Sequence, residues 1–176
     1  MTSLTVVRTY LEQRARPDGE RIADHDPAAR VVRVIEADVP LFRGLYREVG
    51  GPHQWRDRNA LSDEALAAHF ASPDVQLWVL YYGDAPAGFF ELQRHADRSV
   101  EIVYFGLVPA FVGRGLGKRL LTEAVAAAWD LGADRVWLHT CTLDSPAALP
   151  NYLARGFEPF KTETSERSVM ASDPGG

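Results

Sequence analysis

The sequence predicts an α/β or α+β domain in which helices flank a mixed sheet. Strand-like and helix-like segments alternate along the chain, and from about residue 100 they follow the order β-α-β-α-β. The 176 residues suit a single domain of ordinary size. With 46% hydrophobic and 24% charged residues, the composition is typical of a globular protein and not of a disordered one.

Two strands and two helices are predicted in the N-terminal part of the chain. β-branched residues place the strands at residues 4–11 and 31–35. Pro40 can open the first helix, which reaches about Glu48, and Ser62 caps the second helix.

The C-terminal part is predicted to be richer in strands. They are expected at residues 75–82, 88–94, 100–108 and 135–143, and again after Gly156. The run 100–108 is almost continuously apolar, which is typical of a strand buried on both faces.

Two further helices are predicted between these strands. Apolar residues at helical spacing indicate a helix from Leu116 to a stop at Gly132. Ser145 and Pro146 form a good N-cap and first-turn pair for a helix that reaches about Arg155.

The composition argues against several classes of function. The 19 basic and 24 acidic residues give a net charge of −5, which argues against a dedicated nucleic-acid-binding protein. Cys141 is the sole cysteine, which excludes an internal disulfide and a cysteine-built zinc site, and the histidine spacing matches no metal site. No apolar run reaches the roughly 18–20 residues of a membrane span. The N-terminus lacks the pattern of a secretory signal, so a cytoplasmic protein with no metal is expected.

A glycine-rich turn between a buried strand and an amphipathic helix carries the strongest functional signal. It runs from Pro109 to Leu121 and has glycines at alternate positions, namely Gly113, Gly115 and Gly117. Glycines let backbone N–H groups face outward, and the helix N-terminus adds partial positive charge. Three cations lie in the same segment: Arg114, Lys118 and Arg119. The turn is therefore predicted to bind a phosphate or pyrophosphate, although glycines that merely connect a strand to a helix are the simpler alternative.

Two familiar phosphate-binding motifs do not fit this turn. A P-loop that ended at Gly117-Lys118 would have Val112 at its first glycine and Arg119 at its hydroxyl position. The dinucleotide fingerprint, begun at Gly113 or Gly115, meets Lys118 or Leu120 where its last glycine belongs.

The turn resembles the signature of the GNAT N-acetyltransferases, Arg/Gln-x-x-Gly-x-Gly/Ala, over the stretch Val112–Gly117. Val112 replaces the first residue of that signature, so one phosphate-facing side chain is missing or is supplied by a neighbour. A second match is Tyr152-Leu-Ala-Arg-Gly-Phe157, which resembles the family's Tyr-x-x-x-Gly-Phe at the end of the last helix. The resemblance is close over residues 75–160 and loose over residues 30–74.

The resemblance implies a GNAT-like, mostly antiparallel, twisted sheet flanked by helices in one domain. Residues 1–30 would form an N-terminal strand and loop, residues 31–74 the acceptor-side region, and residues 75–165 the acetyl-CoA-binding core. Backbone groups near the end of the strand would pair with the pantetheine, and the turn would hold the pyrophosphate. The residues expected to bind acetyl-CoA are Leu107, Val108, Gly113, Arg114, Gly115, Leu116, Gly117 and Lys118.

Two residues are expected to be catalytic. Tyr152 is the candidate acid for the leaving thiolate, because a phenol with a pKa of about 10 can protonate it. The alternative is that Tyr152 only packs beside Phe157. Glu101 interrupts an apolar strand, where a carboxylate is costly to bury unless it is paired or used. A glutamate at the corresponding strand position is the general base in one branch of the superfamily, and a structural ion pair is the alternative here.

Trp55 and Glu91 are expected on the acceptor side. Glu91 lies across a predicted hairpin from Glu101, and the strand register decides whether the two carboxylates converge. If the residue numbers of cross-strand partners add up to 192, Glu91 faces Glu101; if they add up to 193, the two side chains lie on opposite faces. Trp55 borders the acceptor site by resemblance, although burial in a surface loop explains it equally well. His139 is interpreted as a packing residue on the same face as Cys141.

The resemblance implies an N-acetyltransferase that uses acetyl-CoA and transfers its acetyl group directly to a primary amine of a small molecule or protein. From the charge and the lack of a long apolar run, no nucleic-acid or membrane partner is expected, and a homodimer stays open. Two alternatives stay open: a non-catalytic acyl-CoA-binding or sensing module with the same fold, and a nucleotide-binding regulator that uses the glycine turn.

Overall fold

The computed structural model describes residues 2–18 and 26–169, which form one seven-stranded sheet with helices on both faces. The strands are β1 (Thr2–Gln13), β2 (Ala29–Val34), β3 (Val75–Tyr82), β4 (Ala85–Arg94), β5 (Ser99–Leu107), β6 (Arg135–Cys141) and β7 (Glu158–Val169). The helices are α1 (Val39–Gly50), α2 (Asp63–Ala71), α3 (Leu116–Asp130) and α4 (Ala148–Ala154). Short 3-10 turns cover Gly51–His53, Asp57–Ala60 and Pro109–Phe111.

The strand order across the sheet is β2-β3-β4-β5-β6-β1-β7. Neighbouring strands are antiparallel except for β5 and β6, which are parallel and are joined by the crossover helix α3. This arrangement confirms the predicted mixed, mostly antiparallel sheet flanked by helices.

The N-terminal strand lies inside the sheet and not at its edge. β1 pairs with β6 on one side and with β7 on the other, so that Leu11 lies opposite both Leu138 and Pro159. Leu11 is fully buried as a result. The sequence predicted this strand from its β-branched residues but carried no signal for its place between two strands from the far end of the chain.

Each face of the sheet has its own core and its own helices. On one side, here called the α3 face, Leu120, Leu121 and Ala124 of α3 pack with Phe90 and Leu92 of β4. On the other side, the α1 face, apolar residues of α1 and α2 pack against β3 and β4; they include Phe42, Leu45, Leu66, Val79 and Phe89. No helix in the described part of the chain is long and apolar enough to cross a membrane.

β5 and β6 are paired along only part of their length. The parallel ladder begins at Ser99 and Arg135 and stops at Glu101 and Trp137. Beyond that point β5 continues beside β4, and β6 continues beside β1 as far as Cys141. The two strands therefore bound an open cleft, called the cleft below, that reaches both faces of the sheet.

The start of α4 differs from its prediction. The helix begins at Ala148 without a side-chain cap, and Ser145 instead closes a turn in which its carbonyl accepts a hydrogen bond from the Ala148 amide at 2.9 Å. Pro150 lies in the first turn of α4, where its missing N–H costs no helical hydrogen bond. Pro150 therefore requires no kink in α4.

Candidate active site

The glycine turn leaves the N-terminus of α3 open. Gly113 and Gly115 have φ values of +87° and +78°, the left-handed region that favours glycine. Gly115 is the N-cap of α3 and provides no side-chain cap, so the first amides of the helix have no capping partner from it. Such amides suit an anion, because they donate hydrogen bonds at the positive end of the helix dipole.

Gly117 has a different role from the other two glycines. Its φ is not in the left-handed region, and a Cβ built on it would lie 3.7 Å from Leu107 Cδ1. Asn151 of α4 donates a hydrogen bond from Nδ2 to the Gly117 carbonyl at 3.4 Å. The start of α3, the end of β5 and the helix α4 therefore meet at Gly117.

The cations of the turn point in different directions. The Arg114 guanidinium lies 5.4 Å from the Tyr82 ring centroid and 5.6 Å from that of Phe111, which draws it toward β3. Lys118 is exposed and forms no ion pair within the described residues. Val112, at the position where the family signature has arginine or glutamine, is 59% exposed. Lys118 is thus the cation of the turn that is most readily available to a bound anion.

The backbone expectation for Val108 is corrected by the structure. The Val108 amide donates to the Ala87 carbonyl at 2.8 Å, and its carbonyl accepts from the Phe111 amide at 2.9 Å. In an antiparallel ladder, successive residues alternate between hydrogen bonding to the neighbour and facing the opposite edge. Phe105 and Leu107 therefore direct their backbone groups into the cleft, and Val108 does not.

Tyr152 of α4 lies on the α3 face beside the cleft. Its ring is in edge contact with Phe105 of β5 at 6.0 Å and with Phe157 at 6.1 Å between centroids. The side chain is 6% exposed. Burial, with a smaller contribution from the Asp144 charge, raises the pKa of the Tyr152 phenol, so the group stays protonated at neutral pH.

On the α1 face, the segment 51–60 extends across the cleft. At one end, His53 Nδ1 lies 3.0 Å from the carbonyl oxygen of Leu143, just past β6. In the middle, the Trp55 ring packs against Tyr104 of β5 with 5.0 Å between centroids. This segment joins the two strands that the sheet leaves apart, which places Trp55 on the side expected for the acceptor.

The far end of the segment is held by an ion pair with Glu91. Arg58 donates from Nη1 and Nη2 to the two Glu91 carboxylate oxygens at 3.0 and 2.8 Å, and His69 Nε2 lies 3.0 Å from Oε2. The Glu91 side chain has no solvent exposure. Glu91 was predicted as a substrate-side residue, and the structure corrects this: both of its oxygens are occupied by protein groups, so it anchors Arg58 instead.

Glu101 and Glu91 are not cross-strand partners. Glu101 lies opposite Gln93, Glu91 lies opposite Tyr104, and a bulge at Val103 shifts the register between these pairs. Neither register considered from the sequence is correct. The two carboxylates nevertheless share the α1 face, since the Glu91 charge reaches Glu101.

Glu101 has the environment expected of a proton acceptor. Its Oε1 lies 3.0 Å from His95 Nε2, and the side chain is 12% exposed. Burial raises the pKa of the Glu101 carboxyl, and the Glu91 charge adds to the rise, while the His95 contact opposes it. Among residues 2–18 and 26–169, no group of three His, Cys, Asp or Glu side chains could hold a metal ion.

Sequence reasoning gave no role at the cleft to three residues, one of which, His139, it interpreted as a packing residue. Tyr104 and His139 are the first side chains of β5 and β6 on the α1 face beyond the point where the strands part. Arg58 lies over Tyr104, with its guanidinium carbon 5.0 Å from the ring centroid. Period-two alternation along each strand could have identified Tyr104 and His139, but only if the end of the parallel ladder had been known.

Comparison with known proteins agrees with this geometry. The sequence model of the Acetyltransferase (GNAT) family matches residues 42–157. The mycothiol acetyltransferase of Corynebacterium efficiens is 35% identical over 101 residues, which are 57% of this chain and 33% of that protein. The chain matches half or less of the length of the curated relatives found.

Two solved structures share the fold at low sequence identity. An aminoglycoside acetyltransferase from an uncultured soil metagenomic sample superposes with a TM-score of 0.63 at 18% identity, covering 74% of this chain and 89% of its own. A Bacillus subtilis acetyltransferase in complex with CoA has a TM-score of 0.56 at 23% identity, covering 74% and 76%.

The site is defined by a sheet whose strands β5 and β6 separate and by a glycine turn at the N-terminus of α3. The family match extends over well over half of the chain. The chain belongs to the GNAT acetyltransferase family.

The Glu91 ion pair generates a prediction about stability. Glu91→Gln leaves the guanidinium of Arg58 without its counter-charge, and we expect it to lower the free energy of unfolding by about 3–5 kcal/mol. Asp63→Asn is the matched control, because it breaks the exposed Arg43–Asp63 pair on the same face and should cost about 1 kcal/mol or less. Urea unfolding measures both, and equal losses would contradict the anchoring role of Glu91.

Proposed function

We propose that the protein transfers an acetyl group from acetyl-CoA to a primary amine by direct attack. The observation that carries this proposal is the cleft between β5 and β6, which exposes the edge of β5 beside Tyr152 and ends at the glycine turn. An unpaired strand edge can hydrogen-bond the amides of pantetheine as another strand would. The turn follows directly after β5, and there we place the pyrophosphate of the same ligand.

The cofactor would be held by the backbone of Phe105 and Leu107 and by the turn from Gly113 to Lys118. Phe105 and Leu107 direct their N–H and C=O groups into the cleft, as the register with β4 requires. The turn offers the amides at the start of α3 and the exposed Lys118. Lys118 then supplies the positive charge that Val112 lacks.

The reaction would use the two faces of the sheet for different steps. The nitrogen of the amine attacks the thioester carbon from the α1 face, a C–N bond forms, and the C–S bond breaks. The departing thiolate takes a proton from Tyr152, which burial keeps protonated on the α3 face. Glu101 would remove a proton from the acceptor through water, because its carboxyl is largely buried and has a raised pKa.

The acceptor is a primary amine whose identity must be found by assay. Relatives and neighbours include a mycothiol acetyltransferase and an aminoglycoside acetyltransferase, and they guide the choice of amines to test. A panel of an aminoglycoside, an amino sugar, an alkylamine and a peptide with a free N-terminus, scored by release of the CoA thiol, tests the proposal. CoA binding with no thiol release from any of them would favour a non-catalytic acyl-CoA-binding module.

The cofactor site can be tested by two glycine variants, one at each end of α3. CoA at a hundredfold excess over its Kd should stabilise the wild type by about 2.7 kcal/mol. Gly115→Val should abolish this shift, because the new side chain strains the left-handed turn and covers the amides. Gly132→Val, at the other end of α3, has the same φ strain at +79° and also open space around its Cβ, so it should lose stability but keep the CoA shift. Loss of the shift in both variants would contradict the assignment.

Tyr152 can be tested by removing one oxygen atom. Tyr152→Phe keeps the ring contacts with Phe105 and Phe157, so the melting temperature and the CoA-induced shift should stay near wild type. The turnover number should fall by about 10²–10⁴-fold, as for loss of a general acid. Steady-state kinetics with an acceptor from the panel measures it, and an unchanged turnover number would leave Tyr152 with a packing role alone.

Glu101→Gln separates a proton acceptor from a structural charge. Folding raises the pKa of the Glu101 carboxyl. At pH values between the ordinary carboxyl pKa and the raised one, the folded wild type therefore binds more protons than the unfolded chain does. The wild type should therefore lose stability as the pH rises through that window, and Glu101→Gln should not.

Turnover of the Glu101→Gln variant should be much lower than that of the wild type below about pH 8, and it should approach the wild-type value at higher pH, where the amine arrives deprotonated. Normal turnover at every pH, or a several-kcal/mol loss of stability at neutral pH, would contradict the catalytic role.

A further inference from the structure

His139 occupies the β6 side of the cleft on the acceptor face. The parallel ladder ends at Trp137, and His139 is the next residue of β6 on the α1 face. Its ring packs against Tyr10 of β1 with 5.5 Å between centroids. Within the described part of the chain, no hydrogen bond to its ring nitrogens is found, in contrast to His53, His69 and His95.

The charged groups around His139 come from four elements. Arg8 of β1 faces it, as do three carboxylates: Glu163 of β7, Asp144 of the loop after β6, and Asp57 of the segment 51–60. Burial and the Arg8 charge lower the pKa of the His139 imidazole, and the three carboxylates oppose that shift only in part. The ring is therefore neutral at neutral pH and has a lone pair available.

In the proposed reaction, two protons leave the acceptor nitrogen on this face, in two separate steps. A primary amine in water is an ammonium ion, which loses one proton before the nitrogen can attack and a second one as the amide forms. The thiolate takes one proton from Tyr152 on the opposite face, so Tyr152 accepts none at the nitrogen. Glu101 lies where β5 and β6 are still paired, and it is hydrogen-bonded to His95. In the proposed reaction it accepts one of the two protons, through water.

We propose that His139 is the second proton acceptor of the acetyl transfer, an inference that rests on the proposed function. As the C–N bond forms and the C–S bond breaks, one of the two N–H protons of the attacking amine passes to an imidazole nitrogen of His139, and the other stays on the amide. The imidazolium then releases it to solvent at the cleft mouth, and Tyr152 recovers the proton that it gave to sulfur. Proton and charge balance are complete, with one proton released overall for each ammonium acetylated.

The test compares pH–rate profiles of variants on one strand face. His139→Phe keeps a ring against Tyr10 and removes both nitrogens, and its kcat/KM should fall by about 10²-fold or more. The acidic limb of the wild-type profile, measured between about pH 5.5 and about pH 9, should show an inflection that is absent from this variant. Cys141→Ser, two residues along the same face of β6, should keep both the rate and the inflection.

A second variant keeps the test decisive if the phenylalanine disturbs folding. His139→Ala opens a space beside Tyr10, and added imidazole should restore part of its turnover in proportion to the neutral imidazole present. Melting curves and CoA-induced shifts identify folded variants. An active wild type with undiminished kcat/KM in folded His139→Phe, or no imidazole rescue of a slowed His139→Ala, overturns this inference alone. A wild type that binds CoA and acetylates no amine overturns the proposed function, and the inference with it.

Discussion

The early end of the β5–β6 ladder is the constraint on which the candidate site depends. Only the first residues of β5, Ser99 to Glu101, pair with β6, and beyond them the residues that face away from β4, such as Phe105 and Leu107, leave their backbone groups open. The sheet tolerates this because β6 stays paired with β1 on its other side and β5 stays paired with β4. The bulge at Val103 adds one residue to β5 just past the last rung of the ladder. Bulges bend and twist the strand that carries them, which is consistent with β5 turning away from β6 at this place.

The position of β1 determines what lines the far wall of the cleft. By pairing with β6 over residues 8–13, the N-terminal strand brings Arg8 and Tyr10 beside His139 and Cys141. Tyr10 also stacks on Trp137, 6.4 Å away between centroids, so the α1 face of these strands is aromatic and polar where a packed core would be aliphatic. A strand that looked peripheral in the sequence thus contributes directly to the candidate acceptor side.

The sequence predicted the elements well and their relative placement poorly, for identifiable reasons. Amphipathic spacing is local, so α3 and its stop at Gly132 could be read from the chain, and the glycine motif located the turn. Strand register is not local: the bulge at Val103 shifted the pairing that decides which residue faces Glu91. The Glu91–Arg58 pair could not be foreseen for another reason, because it joins residues 33 positions apart through a turn with no sequence signature.

The proposed reaction assigns opposite tasks to the two faces of the cleft. Tyr152, enclosed among apolar rings on the α3 face, is the group that we propose gives a proton to sulfur, because burial keeps its phenol protonated. Glu101 and His139 lie on the α1 face, on the two strands that separate. Burial disfavours the charged form of each, so the carboxyl gains affinity for a proton while the imidazole stays neutral. Arg58 donates hydrogen bonds to both oxygens of the buried Glu91 carboxylate, so neither oxygen is free to contact a substrate. The ion pair that fixes the segment 51–60 over the cleft therefore occupies Glu91, and the proposed proton transfers are assigned to the two groups that border the cleft.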